Sequence, residues 1–177
     1  VICENGGEAA YRALVDEVRT NLPSGQAVRI ISAPGNPGYA GGMNIAMRAG
    51  ADADAWWVLN PDTTPHEAAL THLVERLQVG DCEAVGSTVH SLSGVIQNRG
   101  GVWNAWLARA VSPDQGIPVQ AGRSSAELEA RVNYLSGASM LVGRRFLERV
   151  GPMREDYFLY AEEVEWCLRA RQLGCTL

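Results

Sequence analysis

The chain contains no lysine; all fifteen of its basic side chains are arginine. That absence removes a P-loop lysine, Schiff-base chemistry and lysine-dependent nucleotidyl transfer together. An excess of positive charge is also missing, because twenty acidic residues leave a net charge of −5. A surface that tracks nucleic-acid phosphates is therefore not expected. Cysteine is sparse: Cys3, Cys82, Cys167 and Cys175 form no CxxC pair and have no histidine at zinc-finger spacing. Neither a metal cluster nor a disulfide framework is expected, and reduced thiols in a cytosolic protein fit best. The longest uninterrupted apolar run, Ala55 to Leu59, falls far short of the roughly 18 residues of a membrane span. No signal peptide is read at the start. His66, His72 and His90 lack serine, cysteine or carboxylate partners at a suggestive spacing, which reads them as non-catalytic.

What is present is an average globular composition, 46% hydrophobic and 20% charged over 177 residues. A chain of that length buries roughly 70% of its unfolded surface and needs no staple to hold a core. A single domain over residues 1–177 is the expectation, with no repeat and no low-complexity linker. The sequence opens on Val1-Ile2-Cys3, like the tail of a buried strand, and stops on Cys175-Thr176-Leu177 as a strand begins. Truncation at both ends is the expectation. Apolar runs at Val1-Cys3, Val28-Ser32 and Ala55-Asn60 alternate with helical patterns at Glu8-Leu22, Ala40-Ala51 and His66-Val79. Such alternation predicts an α/β fold with a parallel sheet. Thr64, Pro65 and Glu67 have the spacing of a capping box for the helix after Asp62. Glu83-His90 and Gly94-Gln97 read as extended around a turn, and Gly100 to Gly122 as loop. Val132-Val142 is extended with a break at Ser136-Gly137, followed by helices near Arg144-Val150 and Ala161-Leu173. On the last helix, Val164, Cys167, Leu168 and Arg171 fall broadly on one side.

In a parallel sheet, strand-to-helix junctions share one edge, where ligands bind. Three junctions carry unusual residues: Glu4-Asn5-Gly6-Gly7, Gly35 to Asn44, and Asn60-Pro61-Asp62-Thr63. The glycine segment opens a helix, whose free amides could receive a phosphate; equally, its glycines could supply positive φ or close packing. Asn44 could bond a ligand or cap something local. Asp62 could hold a divalent ion bridging two phosphates, with Asn60 assisting through water, or belong to an ordinary proline turn near a helix start. Glu162, Glu163 and Glu165 could form a solvated first turn, with Glu165 and Arg169 as an i,i+4 pair. The preceding Tyr157-Phe158-Leu159-Tyr160 instead suggests carboxylates beside packed rings, with raised pKa and better basicity. Trp56, Trp57 and Trp103 read as core; Trp106 reads as packing, with stacking on a sugar as the alternative.

Together these segments resemble the inverting glycosyltransferase family 2 of the GT-A fold, and within it the subgroup with rhamnosyltransferase-like members. The stretches that carry the resemblance are VICENGG, NPGYAGGMNIAMRAGADADAWWVLNPDTTP, YLSGASMLVGRRFLERVGPM and YFLYAEEVEWCLRARQLG. They follow the family's order and span almost the whole chain. The resemblance implies a Rossmann-like, mostly parallel central sheet with flanking helices and a smaller antiparallel part, the family's first βα unit falling before Val1. It implies that Glu4 contacts the nucleobase and that Gly41, Gly42 and Asn44 lie in the donor-binding loop. Asn60-Pro61-Asp62 matches the DxD-type element, with Asp62 as the direct metal ligand. Gly137 and Ala138 match a segment beside the donor sugar. Glu162-Glu163 matches the acidic pair that supplies the general base, Glu163 being preferred. Glutamate stands at Glu4, Glu163 and Glu165 where aspartate is commoner in the family.

The activity so implied is transfer of a sugar from a nucleotide diphosphate sugar, with dTDP-rhamnose suggested by the subgroup, to a hydroxyl of a cell-envelope glycan or lipid-linked acceptor. A divalent metal, Mg or Mn, is the implied cofactor. The expected location is cytoplasmic and peripheral at the inner face of the membrane, any attachment coming from other segments or a partner. The alternatives are a non-catalytic nucleotide-sugar-binding relative of the same fold and another α/β nucleotide enzyme such as a nucleotidyltransferase.

Overall fold

The computed structural model describes all residues, 1–177. The chain is a mixed α/β protein that divides into two compact units, residues 1–53 with 152–162 and residues 54–151 with 163–177.

In the first unit, β1 (Ile2–Glu4) pairs in parallel with β2 (Ile30–Ser32), Ile2 opposite Ile30 and Glu4 opposite Ser32. The crossover between them is α1 (Glu8–Glu17), and α2 (Gly38–Ala49) follows β2. This is the βαβ unit that the alternating pattern predicts. Small residues let α2 approach closely: Gly38, Ala40, Gly41, Gly42, Asn44 and Met47 are its buried face. A β-carbon on Gly41 would stand 2.5 Å from the Pro37 ring, and one on Gly42 would stand 2.7 Å from the Asn5 amide.

The second unit is built on β3 (Ala55–Leu59), β4 (Ala84–Gly86) and β9 (Ser139–Gly143), in the order β3-β9-β4. β3 and β4 run the same way and are joined through α3 (Ala69–Gln78), but β9 lies between them and antiparallel to both. The middle place suits β9, because all five of its residues are buried, as a strand covered on both faces requires. Between β4 and β9 come two hairpins, β5 (Val89–His90) with β6 (Ile96–Asn98) and β7 (Val102–Asn104) with β8 (Arg109–Val111), and the short α4 (Ser125–Glu129). Then α5 (Arg144–Val150) follows β9 directly, and α6 (Glu162–Gln172) closes the fold. No helix is long and apolar enough to cross a membrane.

Two local expectations are corrected. The helix after Asp62 starts at Ala69, capped by Ala68 with no side-chain bond, and not at Thr64. Pro65 biases Thr64 toward extended backbone, and His66 forms its own turn, its Nδ1 accepting from the Ala68 amide at 3.2 Å. The capping box of the chain lies elsewhere, at Ser124 and Glu127, where each side chain accepts from the other's amide. On α6 the buried residues of the stripe are Val164, Trp166, Cys167 and Ala170. Arg171 is exposed, because Trp166 rather than Leu168 enters the core.

That core joins β9, α5 and α6. Phe146 and Trp166 are fully buried and meet edge to face, with centroids 4.8 Å apart, and Trp166 Nε1 donates to the Gly151 carbonyl at 2.9 Å. Phe146→Ala is expected to lower the unfolding free energy by about 3–5 kcal/mol, through lost transfer energy and a residual cavity. Removing Arg12 from its exposed pair with Glu8 should cost less than about 1 kcal/mol. Urea titration of the two variants checks the contrast, and equal effects would contradict this assignment of the core.

Candidate functional site

The register of β3 on β9 sets the geometry of the second unit. Leu59 lies opposite Ser139, so the chain leaving β3 runs alongside the residues that precede β9. The ladder continues one step: the Asn60 amide donates to the Ala138 carbonyl at 3.1 Å, and Thr63 Oγ1 reaches the same oxygen at 3.4 Å. A tight turn, closed by the Thr63 amide on the Asn60 carbonyl at 3.1 Å, leaves Asp62 exposed at its tip. Antiparallel pairing thus brings Asn60 and Asp62 beside Gly137 and Ala138, two groups singled out separately in the sequence.

The segment leading to Ala138 is irregular and almost wholly buried, so its backbone groups need partners. The Leu135 amide donates to Cys167 Sγ at 3.4 Å, and the Ala138 amide to Ser136 Oγ at 3.3 Å. Gly101 exchanges backbone bonds with Tyr134, while the Asn133 side chain bonds the Trp103 amide at 2.8 Å and its carbonyl at 3.1 Å. Ser139 Oγ accepts from Trp57 Nε1 at 3.0 Å and pairs with Ser87 Oγ at 2.7 Å. Glu163, one helical turn before Cys167, is half-buried next to Tyr134. Burial first, and then the charge of Glu163, hold the Tyr134 phenol above its ordinary range. Burial likewise pushes the Cys167 thiol up to about 12, which leaves it inert. Tyr134 and Ser139 join the site through the structure rather than through a motif of their own. Both lie within YLSGAS, where a tyrosine and serines in an apolar run were the available signal.

Asn60 Oδ1 is buried and has no hydrogen-bond partner. An orphaned amide oxygen beside a free-standing carboxylate is an oxygen donor set of the kind that suits Mg or Mn, whose remaining positions water and phosphate oxygens fill. No group of three or more histidine, cysteine, aspartate or glutamate side chains is gathered for a metal. Asn60 and Asp62 offer oxygen donors of the kind such an ion takes, but not an all-protein cage.

In the first unit the Glu4 carboxylate accepts from the Gly6 amide, folding the turn after β1 back on itself. Asn5 Nδ2 donates to the Gly38 carbonyl at 3.0 Å, so the turns after β1 and β2 meet at one edge. In the glycine segment, Gly35 and Gly38 take positive φ, and Gly41 and Gly42 pack against Pro37 and Asn5. Two amides of the first turn of α2 are already used, Gly38 by Asn36 Oδ1 and Tyr39 by the Phe158 carbonyl, both at 3.0 Å. Asn44, only 1% exposed, ties α2 to a segment distant in sequence. Its amide bonds the Met153 carbonyl and Glu155 Oε1, each at 2.9 Å, and its oxygen accepts from the Met153 amide at 3.1 Å.

The aromatic run before α6 is not packed as expected: Phe158 and Tyr160 are 60% and 78% exposed. Their backbone is what docks, with the Phe158 carbonyl filling the space a side chain at Gly38 would need. Glu162 is nevertheless 4% exposed and its Oε2 lacks a partner. Desolvation raises its pKa. Tyr160 and Ala161 reach it through positive φ, 71° and 68°. The i,i+4 pair forms, Arg169 Nε to Glu165 Oε1 at 2.8 Å.

A cavity of about 400 Å³ lies elsewhere in the second unit, between α3, β4 and α4. None of the residues singled out above from the sequence as binding, metal-holding or catalytic lines it. Its two arginines are engaged, Arg76 with Asp81 and Glu129, Arg99 with Asp114 and Thr88.

With this geometry in place, comparison with known proteins assigns the class. The chain belongs to the glycosyltransferase-like family 2, whose profile it matches over residues 1–177. It is also similar to a curated protein of Haloferax volcanii, the low-salt glycan biosynthesis hexosyltransferase Agl10, at 25% identity over 148 residues. That match covers 82% of this chain and 47% of the relative, so the chain spans about half the length of the curated protein it matches.

Glu162 carries a pH prediction. Its folded pKa lies above the unfolded value, so the folded state holds the proton more firmly. The associated stability is full below the ordinary glutamate range and is lost as pH rises through the folded pKa. Glu162→Gln should therefore unfold at higher urea than the parent at pH 7, with the difference vanishing at acid pH. A parent and variant that track each other at all pH values would contradict a desolvated carboxyl at this position.

Proposed function

We propose that this chain is the catalytic domain of an inverting glycosyltransferase that moves a hexose from a nucleotide diphosphate sugar to an acceptor hydroxyl of a glycan or glycolipid. The observation that carries the reading is the family match over all 177 residues; it is supported by the bonding of Asn60 and Thr63 to Ala138 and by Glu163 lying next to Tyr134, a few residues earlier in the same segment. The finer reading follows the rhamnosyltransferase-like subgroup: dTDP-rhamnose is the first donor to test, and a cell-envelope or lipid-linked glycan the first acceptor. The relative's printed role in glycan biosynthesis supports an acceptor of that kind. Residues 1–177 are proposed to act as one glycosyltransferase domain, cytoplasmic and peripheral at the membrane face.

Glu163 is the proposed base. Its carboxylate takes the proton of the acceptor hydroxyl as that oxygen attacks the anomeric carbon. The bond from carbon to the phosphate oxygen breaks on the opposite face, and the electron pair leaves with the nucleotide diphosphate. Glu163 suits this work better than Glu162, whose carboxyl is closed off from solvent and so cannot meet an acceptor without rearrangement. Glu4 is proposed to face the nucleobase, Gly41 and Gly42 to shape the donor loop, and Asn44 to hold that loop by anchoring Met153. Gly137 and Ala138 are proposed to border the donor sugar. Asp62 and Asn60 would hold the divalent ion, Mg or Mn, which when bound supplies charge neutralisation for the departing diphosphate.

Two variants test these roles. Asp62→Asn should weaken metal-dependent binding of nucleotide diphosphate by at least about tenfold, read by calorimetry with and without Mg or Mn; unchanged affinity removes Asp62 from the site. Glu163→Gln should retain donor binding while turnover falls by about 10² to 10⁴. Full turnover in that variant moves the base to Glu162 or Glu165.

A further inference from the structure

The hairpin β7–β8 ends in an exposed apolar tip. Every residue from Asn104 to Val111 is exposed, and the tip carries Trp106 at 98% and Leu107 at 70% exposure. Val102 and Val111 add exposed apolar area along its strands. The expectation that Trp106 packs is thereby overturned, since its ring touches almost nothing. An indole and an isobutyl group held in water at one tip constitute the kind of exposed apolar patch that marks an interaction surface.

We propose that this tip inserts into the headgroup boundary of an anionic phospholipid bilayer. Tryptophan favours that depth, because its ring is amphipathic. The charge carried by the hairpin's own stretch of chain is complementary. No acidic residue occurs between Glu83 and Asp114, while the exposed Arg109 does. Asp114 itself is consumed by Arg99, at 3.2 Å, and by Arg123. Arg109 opens β8 and is exposed within three residues of Trp106. The net charge of −5 does not decide the matter, because an exposed tip feels mainly the charges within a Debye length of about 10 Å. A sugar-stacking platform is the poorer fit. Such a platform needs fixed polar groups beside the ring, and here the neighbours are Ala105, Leu107 and Ala108.

The base of the hairpin is held firmly. Asn133 bonds both backbone groups of Trp103, and Gly101 pairs with Tyr134, the residue beside Glu163. A bilayer gripped at Trp106 is thus coupled through one anchored ribbon to the segment carrying Gly137 and Ala138. The sequence sought membrane attachment outside this chain; the hairpin offers one within it. The inference does not depend on sugar transfer, and its test involves none.

Co-sedimentation with vesicles of mixed phosphatidylcholine and phosphatidylglycerol should show binding. The Trp106→Ser, Leu107→Ser double variant should bind at least about tenfold more weakly, with its unfolding midpoint unchanged because both side chains are exposed. Arg109→Gln should lose about fivefold on the anionic vesicles and nothing on pure phosphatidylcholine. As a second reading of the parent protein, brominated lipid should quench tryptophan emission, and Trp106→Phe should abolish most of that quenching. Failure of the parent to bind, equal binding by the double variant, or quenching that survives Trp106→Phe each overturns the proposal. So does a parent dimer that the double variant converts to monomer, which would make the tip a contact between copies.

Discussion

The second unit depends on one constraint: residues 133–138 are buried without regular structure, so their backbone polar groups must find partners beyond a single ladder. They find them in four places. Asn60 and Thr63 meet Ala138, the Cys167 sulfur meets Leu135, Ser136 meets Ala138 from within, and Gly101 with Trp103 meets Tyr134 and Asn133. A lost bond here would leave a buried amide or carbonyl unpaired, at about 1–3 kcal/mol each. The same bonds gather the aspartate turn, the glutamate of α6 and the root of the exposed hairpin around one segment. Polar satisfaction, rather than hydrophobic burial, fixes which functional groups become neighbours.

The alternation of short apolar runs with helical periodicity made the α/β character legible, and the starts of α2, α5 and α6 fell within two residues of their places. The position of β9 was not legible. Its run Met140-Leu141-Val142 shows that it is buried but cannot tell which strands flank it, since period-2 and continuous apolar patterns carry no partner identity. That choice is made by the register with β3, a contact between residues about eighty positions apart. The cap at Thr64 failed for a different reason: proline one residue on competes with helical backbone at the capping position. The Ser124 box had the same sequence signature and no such competitor.

For the candidate site, the individual residues were legible and their environments were not. Asp62 and Glu163 could be named from their motifs, but the desolvated carboxylate those rings suggest appears at Glu162 while the rings themselves are exposed. The rings leave for solvent because the backbone at Phe158 is what fits against Gly38. The glycine segment shows the converse. Its composition reads as a phosphate loop, and packing is what the structure displays there: the Gly38 and Tyr39 amides are bonded to Asn36 and Phe158, and Gly41 and Gly42 lie against Pro37 and Asn5.

Two buried oxygens remain without partners, Asn60 Oδ1 in the second unit and Glu162 Oε2 at the end of the first. Elsewhere the chain is thorough in meeting such needs: Ser139, Asn44 and Asn133 are each bonded more than once. The exceptions are costly, and Glu162 follows two residues in the left-handed region, each adding about 1–3 kcal/mol of strain. Neither cost is repaired by a nearby serine or amide, although the chain uses such groups freely. An amide oxygen with no donor is ready for a cation, and a desolvated carboxyl is ready for a proton. Both orphans belong to the short motifs in which the family resemblance placed metal and base chemistry. At Asn60 stability is surrendered where ion binding is proposed, and the well-bonded segment 133–138, whose Ala138 carbonyl takes the Asn60 amide, supplies the rigidity that lets it be surrendered there; at Glu162 it is surrendered one residue before the proposed base.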